Sequence, residues 1–466
     1  MGPLGFHTTL TPRGHQIDLI KFSQTNGCLG TLAWHGMGLG KTLSALWDAL
    51  AHIRKLQAGG VQAAKVLILC PKSAMVTWRD EIKANVKELQ SSTHVYSVSS
   101  AHHAISRVKY ADFRYIIIDE SHALKSPETD RIKVMARLLD ELGSRGNCFK
   151  HGKIMLLTGT PMPNGAQELY TSWAMCTAPH IKEAATRIMD LKRYGTWAES
   201  FAGKKQKSFY KGKGRKVSRS SPQGTNDEQV DNLCKLLSQF THYRRVTDCL
   251  DIPKPHEHHV KLNLPDDRML ENANIEKPEA YMALVERLSR AKTPHMLGWI
   301  REFMHINPRT QLLVFAMHRA PLDEIVEYFG GQYARLITGR ESRKDRDQNL
   351  YDFKAGKFPI FGMTFKCGSE SLNLQNAYCS LYHGYPWTDS TLRQAMARTY
   401  RSGQQLETNH YFLTSGENDS RVLSLVRSKQ EATTAVEDGL IRLEKARIDR
   451  QILTQAASDN LYANII

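Results

Sequence analysis

The chain has no Cys-x-x-Cys pair. Its eight cysteines, at positions 28, 70, 148, 176, 234, 249, 367 and 379, are scattered over 466 residues. That scatter excludes a disulfide framework and a zinc knuckle, and it predicts reduced, mostly buried thiols. No run approaches the ~18 apolar residues of a membrane-spanning helix. The opening, MGPLGFHTTL, lacks a charged segment followed by an apolar one, so a cytoplasmic rather than secreted protein with no membrane partner is expected. No internal repeat of fixed period occurs. Acidic residues are in deficit, 47 against 63 basic ones, for a formal net charge of +16. Such a field attracts polyanions, nucleic acid first among them. With 41% hydrophobic and 24% charged residues, disordered and fibrous classes are excluded, and the length allows two or three domains.

What is present is a series of short apolar runs closed by polar turns: VLILCP at 66–71, YIIIDE at 115–120, IMLLTGT at 154–160 and QLLVFA at 311–316. Continuous runs of this length suit parallel strands buried on both faces, with functional loops at their carboxyl ends. Helical periodicity fills the gaps, as from Thr42 to Lys55 and from Ser73 to Glu88. The fold class is therefore α/β, with the strand-loop pattern in two blocks, about 28–160 and 308–415. Between them lies AGKKQKSFYKGKGRKVSRSSPQG at 202–224, in which Lys204, Lys205, Lys207, Lys211, Lys213, Arg215 and Lys216 meet no acidic residue. A basic loop or hairpin inserted late in the first block is expected, with Phe209 and Tyr210 interleaved so as to stack on nucleic acid.

Two segments carry chemistry. MGLGKT at 37–42 follows the apolar run LGTLAW and precedes LSALWDAL, the strand-loop-helix setting of a phosphate loop. Gly38, Leu39 and Gly40 bring backbone N–H groups toward phosphates, Lys41 supplies a cation and Thr42 a hydroxyl for Mg²⁺. YIIIDESH at 115–122 ends a strand in two carboxylates. Asp119 is placed to hold Mg²⁺, and Glu120 to orient and deprotonate the attacking water.

From these motifs onward the sequence resembles the SWI/SNF-type ATPases of helicase superfamily two. LTPRGHQ at 10–16 is similar to that family's adenine-reading segment, with Gln16 as its glutamine. LILCPKSAMVTWRDEI at 67–82 resembles the segment whose tryptophan, here Trp78, faces the DNA track. LLTGTPMPNGAQELY at 156–170 resembles the coupling motif, including Thr158, Gly159 and Thr160. HYRRVTDCLDIPKPHEHHVKL at 242–262 resembles its arginine-pair segment. TFKCGSESLNLQNA at 364–377, which contains Gly368, and PWTDSTLRQAMARTYRSGQ at 386–404 resemble the last two motifs. The second of these puts Gln394 with the nucleotide and Arg398 and Arg401 on one helix face, as fingers for the γ-phosphate.

The resemblance implies two RecA-like lobes, each a mostly parallel sheet flanked by helices. Lobe 1 is expected at 1–245, with an inserted protrusion at about 185–240, and lobe 2 at 246–466 with a C-terminal helical segment. It implies ATP and Mg²⁺ as cofactors, duplex or branched DNA as partner, and a compact member of bacterial, archaeal or viral type. The activity implied is that of a DNA-dependent ATPase moving along duplex DNA. The alternatives are a strand-separating or fork-remodelling and annealing helicase, and a basic nucleic-acid-binding module switched by ATP. His35 and Gly36 stand where the family usually has acidic residues, and Ser371 replaces a usual glycine. The histidines 256, 258 and 259, without a cysteine pair, read as a strand rather than a metal site.

Overall fold

The computed structural model describes residues 10–108, 111–144, 152–211, 215–222, 225–262, 264, 278–368, 372 and 374–463. The chain divides into two compact units. One comprises the residues to Gly36, Gly40–Arg245 and the chain from Glu431 onward; the other comprises Met37–Leu39 and Val246–Gln430.

In the first unit the apolar runs become β1 (Gly30–His35), β2 (Lys65–Cys70), β3 (Thr93–Ser97), β4 (Phe113–Asp119) and β5 (Lys153–Thr158). The hairpin strands β6 (Lys204–Lys211) and β7 (Arg215–Pro222) follow, and then β8 (Thr241–Arg244). The sheet runs β3-β2-β4-β5-β1-β8, with every pairing parallel. Its core sorts by parity. Leu32, Trp34, Leu67, Leu69, Ile116, Ile118, Ile154 and Leu156 enter one apolar cluster; Ala33, Val66, Ile68, Tyr115, Ile117, Met155 and Leu157 enter the other. Alternate side chains point to opposite faces of a strand, so both faces are covered and the strands read as continuous apolar runs.

The second unit repeats the plan. It contains β9 (His256–Lys261), β10 (Leu312–Ala316), β11 (Ala334–Ile337), β12 (Ile360–Thr364), β13 (Cys379–Tyr382) and β14 (Asn409–Thr414). These form an all-parallel sheet in the order β11-β12-β10-β13-β14-β9. Leu313, Phe315, Phe361, Met363 and Phe412 cover one face, and Leu312, Val314, Ile360, Leu381 and Leu413 the other. The histidine-rich segment is the edge strand β9, where His258 stacks on Tyr411 and its Nε2 lies 2.8 Å from Asn409 Oδ1.

The basic segment is an antiparallel hairpin in which Lys204 pairs with Pro222, Phe209 with Val217 and Lys211 with Arg215; helices Ile181–Ile188, Leu191–Phe201 and Val230–Leu237 flank it. Lys213, Cys148 and Ser371 lie outside the described residues.

The expected domain assignment needs one correction. The last helix, Gly416–Ala463, is continuous, but only its first part belongs with residues 246–430. Val422 joins the second unit's core, whereas Val436 and Leu440 are buried in the first unit's. There Gly439 lies so close to Cys234 that a Cβ would stand 2.5 Å from its Sγ. Arg244 pairs with Glu444, and Arg245 with Asp438. Among the described residues no helix is long and apolar enough to cross a membrane.

Candidate active site

β1 ends at His35, and the chain turns through Gly38 and Gly40 into α2 (Lys41–Ala58) with α1 (Gly14–Thr25) alongside. Gly38 (φ 85°) and Gly40 (φ 75°) occupy left-handed backbone that side chains rarely adopt. A Cβ at Gly40 would stand 2.6 Å from Gln16 Nε2, so that side chain would have to move aside. Gln16 is buried in α1 and braces the loop: its Oε1 accepts from Arg13 N at 2.9 Å, and its Nε2 donates to Gly40 O at 3.3 Å. Lys41 Nζ donates to His35 O at 2.9 Å and to Gly36 O at 3.4 Å, so the cation is folded over its own loop. Thr42 is half-buried in the first turn of α2, and the Leu39 side chain is fully buried.

The carboxylate pair sits at the end of β4. Burial, then the charge of Glu120, pushes the Asp119 carboxyl up to about 6, while Trp78 and the Lys41 ammonium act in the opposite direction. Glu120 is the one non-glycine residue with positive φ (50°) among the described residues. Such a conformation costs about 1–3 kcal/mol and persists where the surroundings enforce it.

Sheet register brings these groups to one edge. Asp119 lies beside Leu157 of β5, and the next β5 residue, Thr158, lies beside Trp34 of β1. Because all three strands are parallel, their carboxyl ends carry Lys41, Asp119 and the Thr158–Gly159–Thr160 turn side by side. Thr158 Oγ1 accepts from Thr160 N at 3.0 Å and lies 3.2 Å from His122 Nδ1; the same nitrogen is 3.2 Å from Glu120 Oε2. His122 thereby links the carboxylate turn to the β5 turn, and Lys125 adds a second link through Glu168 at 3.1 Å.

Trp78, which the resemblance turns toward DNA, is enclosed in the structure. It lies in α3 (Met75–Asn85) with only 1% exposure, so it offers no face to DNA. Its indole Nε1 instead donates to Asp119 Oδ2 at 2.9 Å. The reason is periodicity: Trp78 and Ile82, four apart, form the buried stripe of α3, while Arg79 and Lys83 are exposed.

In the second unit, Gln394 is buried on the helix Asp389–Met396. Arg398 and Arg401 were expected to extend that helix, but it ends at Met396, where Arg398 N reaches back three residues to Ala395 O. The two guanidinium groups still converge: Arg398 Nη1 and Arg401 Nη1 both donate to Leu372 O, at 2.9 and 3.1 Å. Gly368 is enclosed, with Phe315 Cε1 2.6 Å from where its Cβ would stand.

Beneath the phosphate loop is a group that no sequence motif announces. His35 Nε2 and His242 Nδ1 are 2.7 Å apart and both rings are buried. Burial first, then neighbouring charges, holds both far below the usual histidine range, so each ring is neutral at pH 7 and one of the two N–H groups lies between them. His122 was legible as the fourth residue of DESH. The His35–His242 and Trp78–Asp119 contacts join residues 207 and 41 positions apart, and no local pattern signals them.

The SNF2-related domain matches residues 15–107 and 89–302, and the helicase conserved C-terminal domain matches 295–403. The chain is 24% identical over 433 residues to the SWI/SNF-related matrix-associated actin-dependent regulator of chromatin subfamily A-like protein 1 of Xenopus tropicalis, covering 84% of this chain and 41% of that protein. It is 23% identical over 456 residues to the DNA annealing helicase and endonuclease ZRANB3 of Bos taurus, covering 89% and 39%. It thus spans about two fifths of the length of these relatives. Among solved structures, the Sulfolobus solfataricus SWI2/SNF2 ATPase core in complex with dsDNA is 18% identical, with coverage of 95% of this chain and 97% of that one and a TM-score of 0.39. The chain belongs to the SNF2-related family, with a helicase C-terminal domain in its second half.

Proposed function

We propose that the chain is a DNA-dependent ATPase that uses ATP and Mg²⁺ to move along duplex DNA. The observation that carries this is the shared carboxyl edge of β1, β5 and β4, where Lys41 lies close enough to Asp119 for its charge to be felt. A half-buried carboxylate beside a second carboxylate favours a cation, and a carboxylate with a hydroxyl is a hard oxygen donor set suited to Mg²⁺. Asp119 and Thr42 would hold the ion, which neutralises phosphate charge when bound. The left-handed backbone at Gly38 and Gly40 aims N–H groups at phosphate oxygens, Lys41 supplies the opposing charge, and Glu120 orients water and takes its proton. His122 ties that carboxylate to the β5 turn. Arg398 and Arg401, fixed on one carbonyl, are assigned the neutralisation of transferring phosphoryl charge.

DNA as the track is supported by the net charge of +16 and by the named substrate of the ZRANB3 relative. The basic hairpin is assigned to grip the backbone rather than to split strands. Opening duplex costs about 1.4 kcal/mol per base-pair step, and a translocase does not need to meet that cost. The purified chain should displace a triplex-forming third strand with ATP and unwind a forked duplex poorly. Efficient fork unwinding without triplex displacement would favour the strand-separating or fork-remodelling alternative.

A further inference from the structure

Trp78 is a large aromatic residue spent on a single polar contact. Its ring is packed in the same apolar cluster as Ile68, Cys70, Ala74 and Ile82, and its only hydrogen-bonding atom, Nε1, reaches Asp119 Oδ2 at 2.9 Å. The other carboxylate oxygen, Oδ1, accepts Glu120 N at 3.0 Å. An ionised carboxylate offers about four lone-pair directions, two on each oxygen. The two bonds take one on each oxygen and so fix the plane of the group, with one direction per oxygen remaining for a cation. Glu120 N comes from the neighbouring residue and travels with Asp119. The indole comes from a separate element, the helix α3, and thus sets the carboxylate against the rest of the unit.

We propose that Trp78 is a positioning residue that orients Asp119 toward the metal bound with nucleotide. The inference rests on the reading of Asp119 as a metal-holding group. Phenylalanine retains most of the packing and removes only the donor. Groups that hold metal ligands in place from behind typically change affinity by about 10- to 100-fold when removed. In Trp78→Phe the Mg²⁺ concentration at half-maximal binding of a fluorescent ADP analogue should rise by that order, with binding of the analogue in EDTA unchanged.

Asp119→Asn is the control. If it leaves the Mg²⁺ midpoint at the parental value, the metal role of Asp119 fails. If Asp119→Asn shifts the midpoint and a folded Trp78→Phe does not, the metal role stands and the proposal for Trp78 is overturned. A signal from the unmutated protein protects the test against a variant that misfolds. Of the seven tryptophan indole N–H resonances, the one absent from the Trp78→Phe spectrum, or identified by its contact with Asp119, should move when Mg²⁺ is added to the ADP-bound chain. An indole resonance that stays fixed while nucleotide binding responds to Mg²⁺ would overturn the proposal.

Discussion

Two buried histidines make the second unit sensitive to acid. His383 is 3% exposed and His410 fully buried. Burial, followed by the charges of Lys292 and His318, pushes His383 down to about 3; burial and then His258 push His410 to about 3. An unfolded histidine titrates near 6.5. Below that pH the unfolded chain binds protons that the folded unit refuses, so stability is complete above pH 6.5 and is lost as pH falls toward 3. At pH 5 each ring is displaced by roughly 1.5 units, which costs about 2 kcal/mol, or about 4 kcal/mol for the pair. That is a large share of the ~5–15 kcal/mol of a typical domain. His410 shares a hydrogen bond with Ser380 Oγ at 2.7 Å, an interaction the amide of His410→Gln can keep without titrating. Hydrogen exchange of peptides covering β13 and β14, corrected for intrinsic rates, should lose protection by roughly a thousandfold between pH 7 and 5 in the parent and by about thirtyfold in the variant. Equal losses in the two proteins would refute the assignment.

Two further outcomes follow from the site and the hairpin. Gly40→Ala should weaken ATP binding by roughly tenfold, because it strains the left-handed backbone of the loop and pushes Gln16 Nε2 off Gly40 O; fluorescent-nucleotide titration checks this, and parental affinity would contradict it. Neutralising Lys204, Lys205, Lys207, Lys211, Lys213, Arg215 and Lys216 together should flatten the salt dependence of duplex binding by roughly 0.9 in log–log slope for each DNA phosphate that the hairpin no longer neutralises, while DNA-saturated hydrolysis persists; an unchanged slope would return the hairpin to a solvated surface.

Much of the architecture was legible because burial on both sheet faces leaves an unbroken apolar run, and each such run in the first unit ends in a loop with recognisable chemistry. The phosphate loop and the carboxylate pair were readable as local strings. Other features were not. The side of Trp78 depends on which stripe of α3 is covered, and an isolated helix has too few apolar positions to say. The end of the helix before Arg398 is set by a three-residue hydrogen bond rather than by a glycine or proline. The last helix changes its packing partner at Glu431, where a run of charges and small residues carries no mark of the change. The left-handed backbone of Glu120 likewise has no sequence signal, since a glutamate is an unusual occupant of that region.

The edge formed by Lys41, Asp119 and Glu120 is proposed to hydrolyse ATP in response to DNA. Phosphate release should be measured for the parent and for Glu120→Gln, with single-stranded DNA, duplex, fork and RNA at one salt concentration, alongside nucleotide binding. The parent should be stimulated by DNA, most strongly by duplex-containing substrates, and Glu120→Gln should bind ATP while losing nearly all turnover, since an amide cannot accept the water's proton. Parental turnover in Glu120→Gln, or a rate indifferent to DNA, would contradict the claim.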